Sequence, residues 1–332
     1  MSRSTILGVG SYVPGRVVTN DELAGMMNTS DEWIQQRTGI RERRYIEHDD
    51  IGASDLAVPA AKAALAHARV EADQIDAIIF ATLSPDYTFP GSGCLLQHQL
   101  GLNEIPALDV RNQCSGFLYG LSVADAWIRA GMYRHVLLVG AEVHSTGLDF
   151  SDNGRDVTVL FGDGAGAAII GPSPDDDHGV LSVCLHADGK GAKELWIEAP
   201  ASRCMPRMTH EMLDEGRHFP KMNGRQVFKW AISRMPKVAN EVLEMAGLGI
   251  DDVDLLVPHQ ANQRISEAVG KGLGLSPEKV VHNIEMFGNT TAATIPMALD
   301  AAFQNHRIAR DTTVLMTTFG SGFTWAGAIC RF

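Results

Sequence analysis

Three residues of this chain offer reactive chemistry. Cys114 lies in RNQCSGFLYG (111–120), among small and polar residues and just ahead of the apolar run Phe117-Leu118-Tyr119. At the head of a helix the free N–H groups and the dipole favour an anion. A thiol placed there has a lowered pKa and supplies a nucleophile at neutral pH. The alternative is a buried structural thiol. His259 directly follows an apolar run in LLVPHQAN, where Pro258 ends the ladder and turns the imidazole out of the strand's end. Asn289, in FGNTTAAT, stands where a second small-residue helix begins, a place that also suits an ordinary N-cap. Each residue alone has a plain structural explanation. A thiol, an imidazole and an amide converging on one pocket would instead make an acyl-transfer site of the Claisen type.

An internal repeat supplies the elements that bring them together. Residues 53–82 hold a helix-period segment, ASDLAVPAAKAALAHARV, then Asp76 and the apolar strand AIIFAT. Residues 227–261 do the same with VFKWAISRMPKVANEVLEMAGL, Asp254 and LLVPHQA, and the two aspartates are 178 positions apart. Further on, CSGFLYGLSVADAWIRAG leads to HVLLVGAE, and NTTAATIPMALDAAFQNH leads to TTVLMTTFG, with Asp125 matching Asp300 at an offset of 175. The chain reads as a tandem duplication of alternating strands and helices, an α/β protein whose apolar strands are buried on both faces. The helices at Cys114 and Asn289 have few polar positions, so they are expected between two sheets. A pseudo-twofold then sets their N-termini together, with Asn289 equivalent to Cys114 and His259 at the same level. The joint falls in Pro172-Ser173-Pro174-Asp175-Asp176-Asp177, dividing the chain into halves 1–173 and 174–332.

Composition narrows the function classes. The 332 residues are 45% hydrophobic and 20% charged, the balance of a globular protein with a sizeable core. No apolar run approaches the length of a membrane span. The opening MSRSTILGVGSYVPG reads as a strand into a turn and is too Gly-rich for a signal peptide, so a cytoplasmic protein is expected. Five cysteines without a CxxC pair indicate neither a disulfide framework nor a zinc site. A net charge of −12 works against general nucleic-acid binding. Two local basic groups remain: Arg37, Arg41, Arg43 and Arg44, and a looser set including Arg203, Arg207, Lys221, Arg225, Lys229, Arg234 and Lys237. VLFGDGAGAAIIG (159–171) reads as a β-hairpin with an Asp-Gly turn, because a dinucleotide loop needs strand, glycines and helix in that order.

The chain resembles β-ketoacyl-acyl-carrier-protein synthase III of the thiolase superfamily from end to end. The resemblance is carried by ILGVGSYVPGRVVTNDEL, TSDEWIQQRTGIRERR, FGDGAGAA, HADG, VPHQANQRI, GNTTAATIPMAL and FGSGFTWAGAICRF. It implies the five-layered αβαβα thiolase fold, a homodimer, and Cys114, His259 and Asn289 as the catalytic triad. On that reading Cys114 takes an acyl group from acyl-CoA, and malonyl-ACP supplies the extending unit with loss of carbon dioxide. The N–H of Cys114 and the Gly320-Ser321-Gly322 loop, through Ser321 or Gly322, would hold the oxyanion. No metal or redox cofactor is expected; CoA and phosphopantetheine thioesters are substrates. The resemblance also implies that Trp33 and Arg37 bind the CoA nucleotide, as an indole face and a guanidinium suit adenine and phosphate. Phe319 would line the substrate channel, and Phe89 would cross the dimer interface to close the partner's acyl pocket. Arg264 would dock the acidic carrier protein, assisted by Lys229 and Lys271.

Three departures from the family pattern bear on the substrate. Arg111-Asn112-Gln113 precede the nucleophile where small residues are usual, and Gln113 is expected on the wall of the acyl pocket. Ser321 replaces a glycine, and its side chain could narrow the oxyanion region. The stretch 200–226 is long and carries Met205, Met208, Met212 and Met222, which suit a pliable apolar surface shaping a pocket for an acyl chain other than acetyl. The alternative function is a relative in specialised metabolism that condenses without decarboxylation, or transfers a longer acyl group. The third reading, an inactive partner subunit, conflicts with the presence of all three triad residues.

Overall fold

The computed structural model describes residues 3–332, leaving Met1 and Ser2 of the opening segment outside the described residues. The three- and four-residue spacing in 53–68 becomes the helix Ala53–Ala68, burying a stripe that includes Leu56, Ala60, Ala64 and Leu65. Its first turn is closed by Gly52 N–H donating to the Asp55 carboxylate at 2.8 Å. The counterpart helix, Gly224–Ala246, is capped by the Asn223 side chain and stopped by Gly247 at φ 69°.

These two outer helices cover sheets of one topology. The first runs in the order Ser4–Tyr12, Gly164–Pro172, Val136–Glu142, Ala77–Ala81, Ala107–Val110, with two antiparallel pairings followed by two parallel ones. The second repeats it as Gly179–Ala187, Thr324–Arg331, Thr313–Gly320, Leu255–Pro258. A bridge from Leu256 to Val280 stands where the first sheet pairs Ile78 with Ala107. The matched aspartates do the same work in both: Asp76 accepts from Arg134 and His135 N–H at 2.7 and 2.9 Å, and Asp254 from Thr313 N–H at 2.8 Å. Each carboxylate pins the start of the neighbouring parallel strand.

Two central helices, Gly116–Arg129 and Thr294–Gln304, lie between the sheets. One core cluster joins Phe117, Leu121 and Ile128 of the first, Ile295 and Leu299 of the second, Ile79 and Leu138 of the first sheet, and Val257 and Met316 of the second. Burying each such side chain contributes about 1.5–3 kcal/mol, so this layer binds the halves to each other. Separate clusters fill the outer interfaces, under Ala53–Ala68 on one side and under Gly224–Ala246 with Gln263–Leu273 on the other. Helix, sheet, helices, sheet, helix is the five-layered thiolase architecture. No helix among the described residues is long and apolar enough to cross a membrane.

The structure departs from the sequence reading in three places. The 3₁₀ turns leading into the central helices are Gln113–Ser115 and Thr291–Ala293, and the helices start at Gly116 and Thr294. Both pairs keep the offset of the matched aspartates, and Gln113 and Thr291 share left-handed φ values of 45° and 50°. The counterpart of Cys114 is therefore Ala292, with Asn289 three residues upstream. A slip of three residues leaves a helical apolar stripe nearly in place, which is why the pattern matched Asp125 to Asp300. The expected hairpin at 159–171 is a single strand, Gly164–Pro172; the preceding run ends the helical turn Arg155–Thr158, and Phe161 bridges to Asn289. Finally, Arg43 is no part of a surface basic group. It is fully buried in the strand Glu42–Tyr45, its guanidinium donating to the Val18 and Val159 carbonyls.

Candidate active site

Cys114 sits in the 3₁₀ turn at the mouth of the first central helix, only 6% exposed. Its carbonyl accepts from Thr318 Oγ1 of the second sheet at 2.8 Å, so the other half of the chain fixes the Cys114 backbone. Gly320 approaches so closely that a Cβ there would stand 2.8 Å from Cys114 Cβ. Only a glycine permits this contact. The approach brings the Ser321 N–H to the sulfur beside the N–H of Cys114 itself. The Ser321 hydroxyl is turned away and donates to the Leu195 carbonyl, so the serine in place of glycine leaves these donors open.

The thiol's acidity contradicts the expectation of a lowered pKa. Burial and the nearby Glu142 push the Cys114 thiol up to about 12, and the two N–H groups offset this only in part. From an ordinary value of 9.0, that rise corresponds to roughly 4 kcal/mol. A helix N-terminus favours an anion by about 0.3–2 kcal/mol. Desolvation wins, and the resting site holds a neutral thiol.

His259 leaves the strand Leu255–Pro258 with its N–H on the Thr317 carbonyl at 2.8 Å. Pro258 itself pairs in that strand with Thr317, so the ladder ends one residue later than the sequence suggests. The ring is buried, and burial holds its pKa down at about 3, so the imidazole is neutral. Nδ1 lies 2.7 Å from Thr294 Oγ1, whose hydroxyl donates to the Thr291 carbonyl at 3.0 Å. That assignment places the ring proton on Nδ1 and leaves Nε2 as an acceptor without a partner. Asn289 is fixed through its backbone, donating to the Leu160 carbonyl at 2.8 Å, and through Oδ1, which accepts the Thr291 N–H at 2.8 Å. Its NH₂ is thereby left as the outward donor.

Cys114, His259, Asn289, Phe319 and Gly320 line one cavity of about 460 Å³, together with Trp33, Arg37, Phe228 and Arg264. A second cavity of about 560 Å³ opens on the other side of the sulfur, lined by Leu83, Gln113, Val143, Trp196, Ile197 and Ser321. The two share Cys114, Phe161 and Leu195. Gln113 therefore faces the second cavity, as does Arg111.

The helix Asp31–Thr38, capped by the Ser30 hydroxyl, puts Trp33 and Arg37 on one face, and the guanidinium lies 4.6 Å from the indole centroid. Arg155, absent from the sequence reading, approaches the same ring at 5.0 Å. Arg225 also lines the first cavity, whereas Lys229 and Lys271 are exposed outside it. Gly322 lines neither cavity, and Ser321 alone of that pair directs an N–H at the sulfur. Phe89 is 82% exposed and also outside both cavities of the single chain.

The long stretch 200–226 reaches the cavities at its C-terminal end, where Pro220 lines the second and Met222, Gly224 and Arg225 line the first. Its base is a two-stranded ladder, Leu195–Trp196 with Lys221–Met222, in which Leu195, Trp196 and Met222 line the cavities. Residues 200–219 line neither cavity: Met205 is fully exposed, and Met208 and Met212 also lie outside.

The sequence reading missed two supports. Glu142 closes the apolar strand Val136–Glu142 and is wholly buried, with its carboxyl pushed up to about 7 by desolvation. It accepts from Thr82 Oγ1, from Ser84 Oγ and from the N–H groups of Leu83 and Ser84, holding one wall of the second cavity. A charge at the end of an apolar run was the only signal. His144, whose Nε2 lies 2.7 Å from Thr291 Oγ1, lines the same cavity, and burial lowers its pKa to about 3.

The family described as 3-oxoacyl-[acyl-carrier-protein (ACP)] synthase III matches residues 108–189, and its C-terminal description matches 243–332. Beta-ketoacyl-[acyl-carrier-protein] synthase III of Methylococcus capsulatus is 46% identical over 333 residues, covering all of both chains. The enzyme of that name from Caldanaerobacter subterraneus is 44% identical over 327 residues, 98% of this chain and 97% of the other. The crystal structure of 3-oxoacyl-[acyl-carrier-protein] synthase III from Aquifex aeolicus superposes with a TM-score of 0.90 at 40% identity, covering 99% and 100% of the two chains. A priming β-ketosynthase of a polyketide pathway gives 0.90 at 34% identity over 100% and 97%. With identity of this order along its whole length and one shared architecture, the chain belongs to the 3-oxoacyl-[acyl-carrier-protein] synthase III family, acyltransferases of the condensing type.

Proposed function

We propose that this enzyme loads an acyl group from acyl-CoA onto Cys114 and condenses it with malonyl-ACP, releasing carbon dioxide and β-ketoacyl-ACP, in fatty-acid or related biosynthesis. The observation that carries this reading is the nucleophile shared by two cavities, one with the imidazole and amide, the other with Gln113 and apolar walls. Cys114 Sγ attacks the thioester carbonyl while the Cys114 and Ser321 N–H groups hold the oxyanion. His259 Nε2 relays the thiol proton to the departing CoA sulfur. The acyl group then lies in the second cavity and frees the first for the malonyl thioester.

When the carboxylate–carbon bond of the malonyl group breaks, its electron pair moves onto the thioester oxygen. The Asn289 NH₂ donates to that oxygen. His259 does so once the Thr294 hydroxyl rotates to donate to Nδ1 and the ring proton moves to Nε2. The enolate carbon attacks the acyl carbonyl, and Cys114 leaves as thiolate and takes a proton from solvent, which makes up for the one that departed with CoA. CoA and phosphopantetheine thioesters serve as substrates in these steps.

Trp33 and Arg37, with Arg155, suit the adenine and phosphates of CoA at the mouth. Arg264, Lys229, Lys271 and Arg225 offer positive charge to an acidic carrier protein. The enzyme is proposed as a homodimer in which Phe89 crosses to close the partner's acyl cavity. Its halves divide at 173/174, between the last strand of the first sheet and the first of the second. A cavity of about 560 Å³ exceeds the needs of an acetyl group, so the starter is proposed to be longer. The same cavity favours a second reading, acyl transfer or condensation of a longer chain without decarboxylation.

Intact-protein mass spectrometry with a panel of acyl-CoAs tests the first step, and carbon dioxide release from malonyl-ACP the second. Cys114→Ala should show no adduct. Asn289→Ala should still load, with carbon dioxide release falling by roughly 10²-fold or more. Equal loading of Cys114→Ala would remove the nucleophile assignment, and loading without carbon dioxide in the parent enzyme would select the second reading.

A further inference from the structure

Three side chains unused by the acyl-transfer chemistry converge on the outer face of the second sheet. Cys184 and His186 stand two apart on the strand Gly179–Ala187, so both project to the side covered by the helix Gly224–Ala246. Glu241 of that helix places Oε2 2.5 Å from His186 Nε2 and 3.5 Å from Cys184 Sγ, and Sγ and Nε2 are 3.3 Å apart. The side chains of His186 and Glu241 are 36% and 44% exposed, so an ion can reach them. Among the described residues no lysine or arginine pairs with Glu241. The imidazole plane is set by stacking on Trp325, with centroids 5.2 Å apart at 21°.

We propose that Cys184, His186 and Glu241 bind one divalent transition-metal ion of the Zn²⁺ type per chain, with water as the fourth ligand. Thiolate, imidazole and carboxylate form a borderline donor set suited to Zn²⁺ and Co²⁺ and poorly suited to Mg²⁺ or Ca²⁺. Metal–nitrogen and metal–oxygen bonds of about 2.0–2.2 Å at tetrahedral angles put those two atoms about 3.3 Å apart. The N–O edge must therefore open by less than about 1 Å, while the edges to sulfur are near their bound length already. On binding, the Cys184 S–H bond breaks, its proton leaves to solvent, and a metal–sulfur bond forms; His186 ligates through Nε2 with its proton on Nδ1. Neither cavity beside Cys114 includes these residues, so the site is separate from the acyl chemistry.

The probe is Co²⁺, added to the full-length protein after chelator treatment and desalting. The parent and Cys114→Ala proteins should take up one Co²⁺ per chain, with a sulfur-to-cobalt charge-transfer band that Zn²⁺ abolishes. Cys184→Ser should lose that band, and Glu241→Gln should weaken Co²⁺ roughly tenfold or more. Paramagnetic quenching of the Trp325 fluorescence, absent in Trp325→Phe, gives an independent readout. A parent protein without the band, or a band surviving Cys184→Ser, overturns the site. Because Cys114→Ala is tested alongside, failure here leaves the acyl-transfer reading untouched.

Discussion

Gly320 ends the strand Thr313–Gly320 against Cys114, the proposed nucleophile, and replacing it with alanine tests how closely the site is fitted. The added methyl would lie 2.8 Å from Cys114 Cβ and 3.1 Å from Cys114 N. Carbon atoms in ordinary contact are about 3.5–4.0 Å apart, so the turn and the strand must separate by roughly 0.7–1.2 Å. Both are anchored, Cys114 by the bond from Thr318 and Gly320 by its pairing with Thr324. The separation pulls apart the two N–H donors aimed at the sulfur. Loss of one oxyanion donor costs about 2.7–4 kcal/mol, roughly 10²–10³ in rate. A misplacement near 1 Å alone costs about 10²-fold. Crowding itself destabilises by about 1–3 kcal/mol. Gly320→Ala should therefore fold with a lowered Tm and acylate at a rate reduced roughly 10²-fold or more, read by rapid-quench intact mass spectrometry. Gly327→Ala is the control, since its Cβ would meet the Val238 carbonyl at 3.0 Å, away from the site. If both variants lose the same Tm and Gly320→Ala acylates within about threefold of the parent, the fitted-donor argument is wrong.

Gln113 holds φ at 45° beside the second cavity, the proposed acyl pocket, in a conformation glycine adopts without strain. Gln113→Gly should keep stability within about 1 kcal/mol of the parent, because relief of strain offsets added chain entropy, and should shift acyl-CoA preference toward bulkier groups. An unchanged acyl profile would refute the wall assignment. His178 ties the joint to the turn before the strand Thr313–Gly320, with Nδ1 on Asp175 at 2.6 Å and Nε2 on Asp311 at 2.8 Å, while Arg310 also faces Asp175. Its hydrogen bonds to these carboxylates raise its folded-state pKa above the ordinary 6.5. The stabilisation is complete below the unfolded value and is lost as pH rises through the folded one. Tm should therefore fall as pH rises above the ordinary 6.5, and His178→Gln should flatten that slope; equal slopes would exclude His178 as the source.

The order of layers was legible because both halves repeat a helix, an aspartate and an apolar strand, and Asp76 and Asp254 cap matching strands. The register of the central helices was not, since a three-residue slip preserves their apolar stripe. Cys114, His259 and Asn289 could be picked out by their places at strand ends and helix heads. What tunes them could not: Thr318 lies 204 residues from the Cys114 carbonyl it holds, and Thr294, which sets the His259 tautomer, has no distinguishing neighbour. The raised pKa of the thiol was hidden for a related reason. A dipole argument sees the helix end, while desolvation depends on everything packed around it.

The central layer has one further consequence. Each central helix is walled by strands of both halves, so neither half owns a closed interior. A single cut in the exposed joint at 174–177 should leave a nicked particle that migrates as one body and melts in one transition. Isolated fragments, by contrast, should precipitate, each presenting a bare helix and half a core to water. In this sense the repeat is an inherited marriage of two copies, divisible in covalent chemistry but not in folding.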